Sequence, residues 1–365
     1  MRLLLFSDLH LERTFSGLRD GVRQARRDGL RACLRQIVEL AATLRVDALC
    51  CGGDLFEQER HRPDTANLLR DAFARLDPMP VYLAPGNHDW LAPESLYLRT
   101  RWSPNVHVFT QPRLTPVELA DGLTLWGAAH HSPTNTPGFL DDFRVDRAGV
   151  HLALFHGAEQ GRVSVRDASQ LRHAPFRATQ IGEAGLHYAM LGHFHAPRDE
   201  PDHVYPGNPE PLAFGETGVR GPVEITVDEQ GRVRTRWHPV AATQLPDVPV
   251  DLTGVTHADQ VRERVEAALV GVKGIVRVIL RGEVDQDVDV DVRRLERPAH
   301  LDDWVVLADQ VQYGFDLEAL AAEQTVRGAF VRAVQADPEL TEGQRRAVLL
   351  TGLRAFAGRE DLEVA

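Results

Sequence analysis

Short apolar runs of strand length alternate with longer segments of helical spacing through about the first 240 residues. The runs are Arg2–Ser7, Ala48–Cys51, Val81–Ala84 and His151–Phe155, each a predicted strand. Between them, Gly21–Leu44 places Val22, Leu30, Leu34, Ile37, Val38 and Ala41 at roughly helical intervals. Thr65–Leu76 does the same with Leu68, Leu69, Ala72 and Phe73. The Pro/Gly-rich stretch Pro197–Pro222 reads as loop, followed by strands at Val223–Val227 and Val233–His238.

Pro246 and Pro249 mark a linker, after which the pattern restarts as a small α/β module. Its predicted elements are a strand (Val250–Leu252), a helix (Ala258–Val270), a strand (Ile275–Arg281), an acidic segment and a strand (Trp304–Ala308). From Asp316 the pattern turns helical. Leu317, Leu320 and Ala321 begin one helix that Val326, Phe330 and Val334 continue, and Asp337-Pro338 breaks it. Thr341 and Gln344 have capping-box spacing, with Val348, Leu349, Gly352, Leu353 and Phe356 as the stripe of a second helix. This helical pair either packs on its own domain or forms a docking surface for another protein. The boundaries drawn are 1–240, 249–312 and 316–358.

Polar motifs stand where the apolar runs end: Asp8-Leu9-His10, Gly52-Gly53-Asp54, Gly86-Asn87-His88-Asp89, His156-Gly157 and Gly192-His193-Phe194-His195. Loops at strand ends are where layered α/β proteins place their chemistry. Asp8 and His10 are two apart, which in an extended strand puts both on one face, and His193 and His195 repeat the spacing. A carboxylate at Asp54 can bridge two cations, Asn87 offers a neutral oxygen, and His156 adds an imidazole. Nitrogen and oxygen donors without thiolate suit manganese, iron or zinc rather than calcium. Two such ions about 3.5–4 Å apart polarise a phosphoryl oxygen and activate water. His88 is the natural proton donor to a leaving oxygen, and Asp89 is the carboxylate expected to orient it. Any one of these histidines alone would be read as a core or surface residue; the ordered set is what carries the assignment. His130 and His131 either line the cleft or belong to a loop, while His107, His151, His173, His187, His203, His238, His257 and His300 read as structural or solvated.

Composition narrows the classes. A chain of 365 residues, 43% hydrophobic and 26% charged, is that of a soluble protein with two domains. No run is long enough to span a bilayer and the apolar start is too short for a signal peptide, so cytoplasmic residence is expected. Cys33, Cys50 and Cys51 make neither a disulfide framework nor a zinc motif. The net charge of −12 argues against a protein that coats nucleic acid, though not against a local basic groove. Lys273 is the sole lysine.

The motif set D-x-H, G-D, G-N-H-D, H and G-H-x-H resembles the calcineurin-like metallophosphoesterase superfamily over about residues 1–240. That resemblance implies an α/β (α+β) fold, a four-layer sandwich of two mixed sheets flanked by helices. It implies one metal held by Asp8, His10, Asp54 and His195 and another by Asp54, Asn87, His156 and His193, with His88 on the scissile phosphate. More narrowly, Ser7-Asp8-Leu9-His10-Leu11, Gly53-Asp54-Leu55-Phe56 and Tyr205-Pro206-Gly207-Asn208 after the last motif look like the SbcD-type DNA repair exonucleases. By that likeness the chain is a nuclease using two divalent ions, Mn2+ foremost. The 249–312 block is then a DNA-capping domain, and the tail docks a coiled-coil ABC ATPase of the SbcC type. A homodimer would form through Gly21–Leu44 or Thr65–Leu76. Where many of those nucleases carry a histidine after Gly-Asp-Leu-Phe, this chain has Glu57, with His61 as the candidate substitute from the same loop. Arg13, Arg60, Arg62, Arg99 and Arg101 flank the motifs as candidate phosphate contacts. Two other readings compete: a phosphodiesterase for cyclic nucleotides or other small esters, and a scaffold whose later segments chiefly bind a partner.

Overall fold

The computed structural model describes residues 1–162, 172–285, 288–315 and 317–356. The chain divides into two units, Met1–Leu245 and Pro246–Ala365.

In the first unit β1 (Arg2–Phe6), β2 (Ala48–Cys51), β3 (Val81–Leu83) and β4 (Val106–Val108) pair in parallel. A second sheet follows: β5 (Thr115–Ala120), β6 (Leu123–Gly127), β7 (Val150–His156), β8 (Tyr188–Gly192), β9 (Arg198–Asp199) and β10 (His203–Tyr205). The chain then returns to the first sheet as β11 (Val223–Val227) and β12 (Val233–Trp237), giving the order β12-β11-β1-β2-β3-β4. The second sheet runs β5-β6-β7-β8-β10-β9, parallel at its centre with antiparallel edges.

Why β1 reads as an unbroken apolar run is visible in its alternation. Leu3 and Leu5 face an inter-sheet core with Ala48, Cys50, Leu152, Leu154 and Met190. Leu4 and Phe6 face the other way, onto a core shared with the helices. A parallel strand covered on both faces has no position for a polar residue. Each such leucine or phenylalanine contributes about 1.5–3 kcal/mol by leaving water.

Helix α1 (Asp20–Leu44) covers that outer face with Leu30, Leu34, Ile37, Val38 and Ala41, spaced three and four apart. It ends at Arg45, which turns left-handed and donates its N–H to the carbonyls of Ala41 and Ala42. Arg26 is buried on the same helix; its charge is met by Glu210 at 2.9 Å and by the Phe15 ring. Helix α2 (Thr65–Ala74) adds Leu69 and Phe73 to this core. Among the described residues the unit also has the short α3 (Leu96–Arg99) and α4 (Thr179–Glu183), with Ile181 of α4 in a third core behind the second sheet. The layering is therefore helix, sheet, sheet, helix. One segment read as loop, Pro197–Pro222, contains β9 and β10, strands too short to show a periodicity.

The second unit has three parallel strands in sequence order, β13 (Asp247–Asp251), β14 (Gly274–Asp285) and β15 (Leu301–Gly314). Helix α5 (Ala258–Ala268) crosses from β13 to β14, and Val261, Val265 and Leu269 share a core with Val276, Val278 and Leu280. Among its described residues the tail forms three helices, not two: α6 (Leu317–Ala322), α7 (Val326–Ala336) and α8 (Glu342–Phe356). The expected continuous first helix stops because the Thr325 hydroxyl caps α7, accepting from the Gly328 N–H at 3.1 Å. The capping box closes as read, with Gln344 N–H on the Thr341 hydroxyl and Thr341 N–H on the Gln344 side chain. No helix among the described residues is long and apolar enough to cross a membrane.

Candidate metal centre

The carboxyl ends of β1, β2 and β3 and of β7 and β8 lead to the five polar motifs. Two glycines bring the sheets together there. A Cβ on Gly52, just past β2, would sit 2.9 Å from the backbone nitrogen of Gly192 at the end of β8. A Cβ on Gly53 would sit 2.7 Å from His156 Nδ1, and its φ of +99° is one that glycine adopts freely.

Asp8 and His10 do not share the face of a strand. β1 ends at Phe6, and both residues lie beyond it in left-handed backbone, φ 54° and 48°. Their loop is held instead by pairing with the β2 loop: Asp8 N donates to Gly53 O and His10 N to Asp54 O, both at 2.9 Å. Asp54 (φ 51°) and His193 (φ 121°) have positive φ as well. Such conformations cost about 1–3 kcal/mol each in non-glycine residues and persist where surrounding structure enforces them.

The seven residues read as ligands come together. Donor atoms of Asp8, His10 and His195 lie within 4.8 Å of one another, as do those of Asp8, Asp54 and His156. One oxygen of Asp54 is 3.3 Å from His156 Nε2 and 3.7 Å from His10 Nε2, between imidazoles that arrive from different sheets. His193 Nδ1 is 3.2 Å from His156 Nε2. Asn87 lines the same cleft, of about 390 Å³, together with Asp54, His88, His173, His193, Phe194 and His195. His10 Nε2, Asn87 Oδ1 and His193 Nε2 are buried without any hydrogen-bond partner. Buried polar atoms are rarely left so, and orphaned donors of cation-binding type grouped around Asp54 fit divalent metal ions.

Outer hydrogen bonds fix which imidazole nitrogen faces inward. His156 Nδ1 meets Gly52 O at 2.9 Å, His195 Nδ1 meets Glu216 at 2.8 Å, and His10 Nδ1 meets Glu57 at 3.0 Å. This is the arrangement by which metal-binding histidines are usually oriented. Glu216 also accepts from Asn208 Nδ2 and the backbone N–H of Leu212. Behind His156, buried His130 meets the His156 carbonyl through Nε2, and its Nδ1 accepts from the Thr136 hydroxyl. Burial pushes the His130 pKa down to about 3, so this ring is neutral. Burial opposes ionisation of Asp54, but His156, His88 and His10 outweigh it and hold the carboxyl well below its usual range.

Asp89 does not orient His88. Its carboxylate is fully buried and accepts from the N–H groups of Asp54, Leu55 and Gly86 and from the Tyr97 hydroxyl. It ties the β2 and β3 loops together, a task the adjacent sequence position did not reveal. His88, partly exposed on the cleft, meets Glu57 at 3.0 Å through Nδ1, and its backbone N–H donates to Asp54 at 2.8 Å. His61 is tied to the Gln58 carbonyl and stacks edge-on to Phe56, so it does not stand in the cleft lining.

His173, expected to be structural or solvated, lines the cleft with its ring 5.3 Å from His193. Glu216 and Tyr97 were missed as well. None of the three sits in a motif, and each reaches the site only through folding. Of the flanking arginines, Arg13 lies 3.8 Å from Glu57, Arg60 reaches Thr14, and Arg62 is paired with buried Glu12. Arg99 and Arg101 are exposed.

The calcineurin-like phosphoesterase family matches residues 1–197 of the chain. The DNA double-strand break repair protein Mre11 of Methanopyrus kandleri is 26% identical over 296 residues, covering 73% of this chain and 62% of that protein. The chain thus spans less than two thirds of that relative's length. Among solved structures, the protein TT1561 of Thermus thermophilus is similar at 15% identity and a TM-score of 0.39, over 65% of this chain and 98% of the other. A dimetal phosphatase from Danio rerio is similar at 14% identity and a TM-score of 0.39, over 64% and 98%.

Proposed function

The chain belongs to the calcineurin-like phosphoesterase family of metal-dependent phosphoester hydrolases, and from that premise we propose that it is a DNA nuclease working with two divalent ions, Mn2+ foremost. The observation that carries the metal chemistry is the clustering of the Asp8, His10, Asp54, His156 and His195 donor atoms beside a cleft lined by Asp54, Asn87, His193 and His195, with His10, Asn87 and His193 each holding an orphaned donor atom. Asp8, His10, Asp54 and His195 would hold one ion, and Asp54, Asn87, His156 and His193 the other. When bound, such ions neutralise charge on a phosphoryl group and activate water. The chain's own contribution is to place His88, its Nδ1 occupied by Glu57, with Nε2 left to deliver a proton to the leaving oxygen.

DNA as substrate rests on the likeness to a relative whose name is that of a DNA double-strand break repair protein. That likeness covers 73% of the chain, more than the first unit alone, which is 245 of 365 residues or about 67%. The β13–β15 unit is then the DNA cap, the helices from residue 317 the dock for an SbcC-type ATPase, and α1 or α2 the dimer contact, in the cytoplasm. Val326 and Phe356 of the tail, 75% and 46% exposed, suit such a dock.

The net charge of −12 favours a second reading, hydrolysis of a small phosphodiester such as a cyclic nucleotide. One experiment separates them. With Mn2+, the protein is expected to shorten linear duplex or single-stranded DNA, and Asp54→Asn is expected to abolish this. Turnover of bis(p-nitrophenyl) phosphate with both DNAs left intact would overturn DNA as the substrate.

A further inference from the structure

Glu57 has both carboxylate oxygens engaged, each by a histidine imidazole. Oε1 is 3.0 Å from Nδ1 of His10, and Oε2 is 3.0 Å from Nδ1 of His88. The two rings meet edge to face with centroids 4.7 Å apart. His10 turns its other nitrogen, buried and unpartnered, toward the Asp54 side. His88 is partly exposed on the cleft. Glu57 itself is fixed from its backbone, its N–H donating to Leu11 O at 3.0 Å, and its side chain is only 14% exposed.

We infer that Glu57 is a positioning residue that sets two imidazoles at once, holding His10 as a metal ligand through Nε2 and His88 as the substrate-facing proton donor. The inference rests on the metal-centre reading above, and it gives Glu57 the orienting role that Asp89, committed to backbone amides, cannot fill. A carboxylate is required by the count of donors. Two Nδ1–H groups need two acceptors, and a glutamate in this position supplies one oxygen to each. A glutamine supplies one acceptor and one donor, so one imidazole must lose its partner or shift its proton to Nε2. If that ring is His10, the nitrogen facing the metal is blocked; if it is His88, the proton donor turns.

The test compares wild type with Glu57→Gln, Glu57→Asp, His88→Ala and the Glu57→Gln/His88→Ala double variant. Two readouts are taken: Mn2+ titration of the metal-free protein by calorimetry, and turnover of bis(p-nitrophenyl) phosphate at saturating Mn2+. Thermal melting confirms that each variant is folded. Loss of an outer-shell partner typically costs about 10–100-fold in metal affinity or activity. Glu57→Gln is expected to lose that much in kcat with KM within about twofold, and to weaken Mn2+ binding about tenfold or more. Glu57→Asp, keeping two acceptors on a shorter arm, is expected to recover part of both. In the double variant, kcat at saturating Mn2+ is expected to match His88→Ala alone, because Glu57 acts on turnover through His88. Losses that multiply in the double variant, or a folded Glu57→Gln with wild-type kcat and Mn2+ affinity, would overturn the inference. So would a third equivalent of Mn2+ that wild type binds and Glu57→Gln does not, since Glu57, His10 and His88 would then be a cation site of their own. The readouts also stand apart from the substrate reading. A protein that cuts the small ester and no DNA loses the nuclease assignment while the Glu57 comparison remains valid. If no variant or wild type turns over the ester, the Mn2+ titrations still decide whether Glu57 orients His10.

Discussion

The carboxylate of Glu216 lies 2.8 Å from Nδ1 of His195, 21 positions earlier in the chain, and leaves the Nε2 of that ring as the nitrogen available to a metal. The other Glu216 oxygen accepts from Asn208 and from the Leu212 N–H, so both carboxylate oxygens are engaged. In Glu216→Gln the amide nitrogen must face either the imidazole or those donors. Mn2+ affinity measured by calorimetry is expected to fall about 10–100-fold. An unchanged affinity would show that His195 is not oriented as a ligand.

Gly53 sits at a tight junction between the two sheets. In Gly53→Ala the new methyl group meets His156 Nδ1 and Gly86 N at 2.7 and 2.8 Å, with the backbone at φ +99°. The expected result is a loss of more than about 1 kcal/mol in urea unfolding, together with loss of phosphoesterase activity. A variant with wild-type melting and turnover would contradict the packing described for this junction.

His130 supports His156 from behind, and among the described residues the Thr136 hydroxyl is what meets its Nδ1. Thr136→Val leaves that buried nitrogen without a donor at nearly constant volume. The expected cost is about 1–3 kcal/mol of stability, read by chemical denaturation, with most of the activity kept. A neutral effect on stability would place a further donor at His130.

How much of this was legible beforehand depends on where each residue's partner lies along the chain. The strands β1, β2, β3 and β7 could be read because they are buried on both faces and so appear as bare apolar runs, while the sandwich itself came from the family resemblance of the motifs. The metal donors could be read because each follows directly on such a run. The geometry that delivers them could not. Asp8 and His10 look like alternate positions of a strand, and only the pairing of their loop with Gly53–Leu55 turns them left-handed. Asp89 looks like the partner of its neighbour His88, but three backbone amides and Tyr97 claim it first. Glu57 and Glu216 are glutamates in an acidic chain, and nothing local marks them as facing an imidazole 31 or 21 residues away. In the tail, hydrophobic spacing runs across Glu323–Thr325 without a break, while a single hydroxyl at Thr325 ends one helix and starts the next.

Away from the site, Glu224 joins β11 to its neighbours through Arg2 at 2.8 Å and His238 at 2.9 Å. Burial opposes its ionisation, but His238 and Arg2 prevail and lower its pKa from 4.5. A carboxyl depressed on folding stabilises the protein fully above the unfolded value and loses that contribution as pH falls through the folded one. Wild type is therefore expected to be more stable than Glu224→Gln at pH 7, with the gap narrowing as pH falls below 4.5, as read by urea unfolding. A gap independent of pH would remove the ion pair as its cause.

The central claim is that the seven donors hold two divalent ions in one cleft. Crystals grown with Mn2+ and measured at the manganese absorption edge test it most directly. Two anomalous peaks are predicted, one among Asp8, His10, Asp54 and His195, the other among Asp54, Asn87, His156 and His193, with Asp54 touching both. A fully occupied single peak, or peaks away from these residues, would contradict the account.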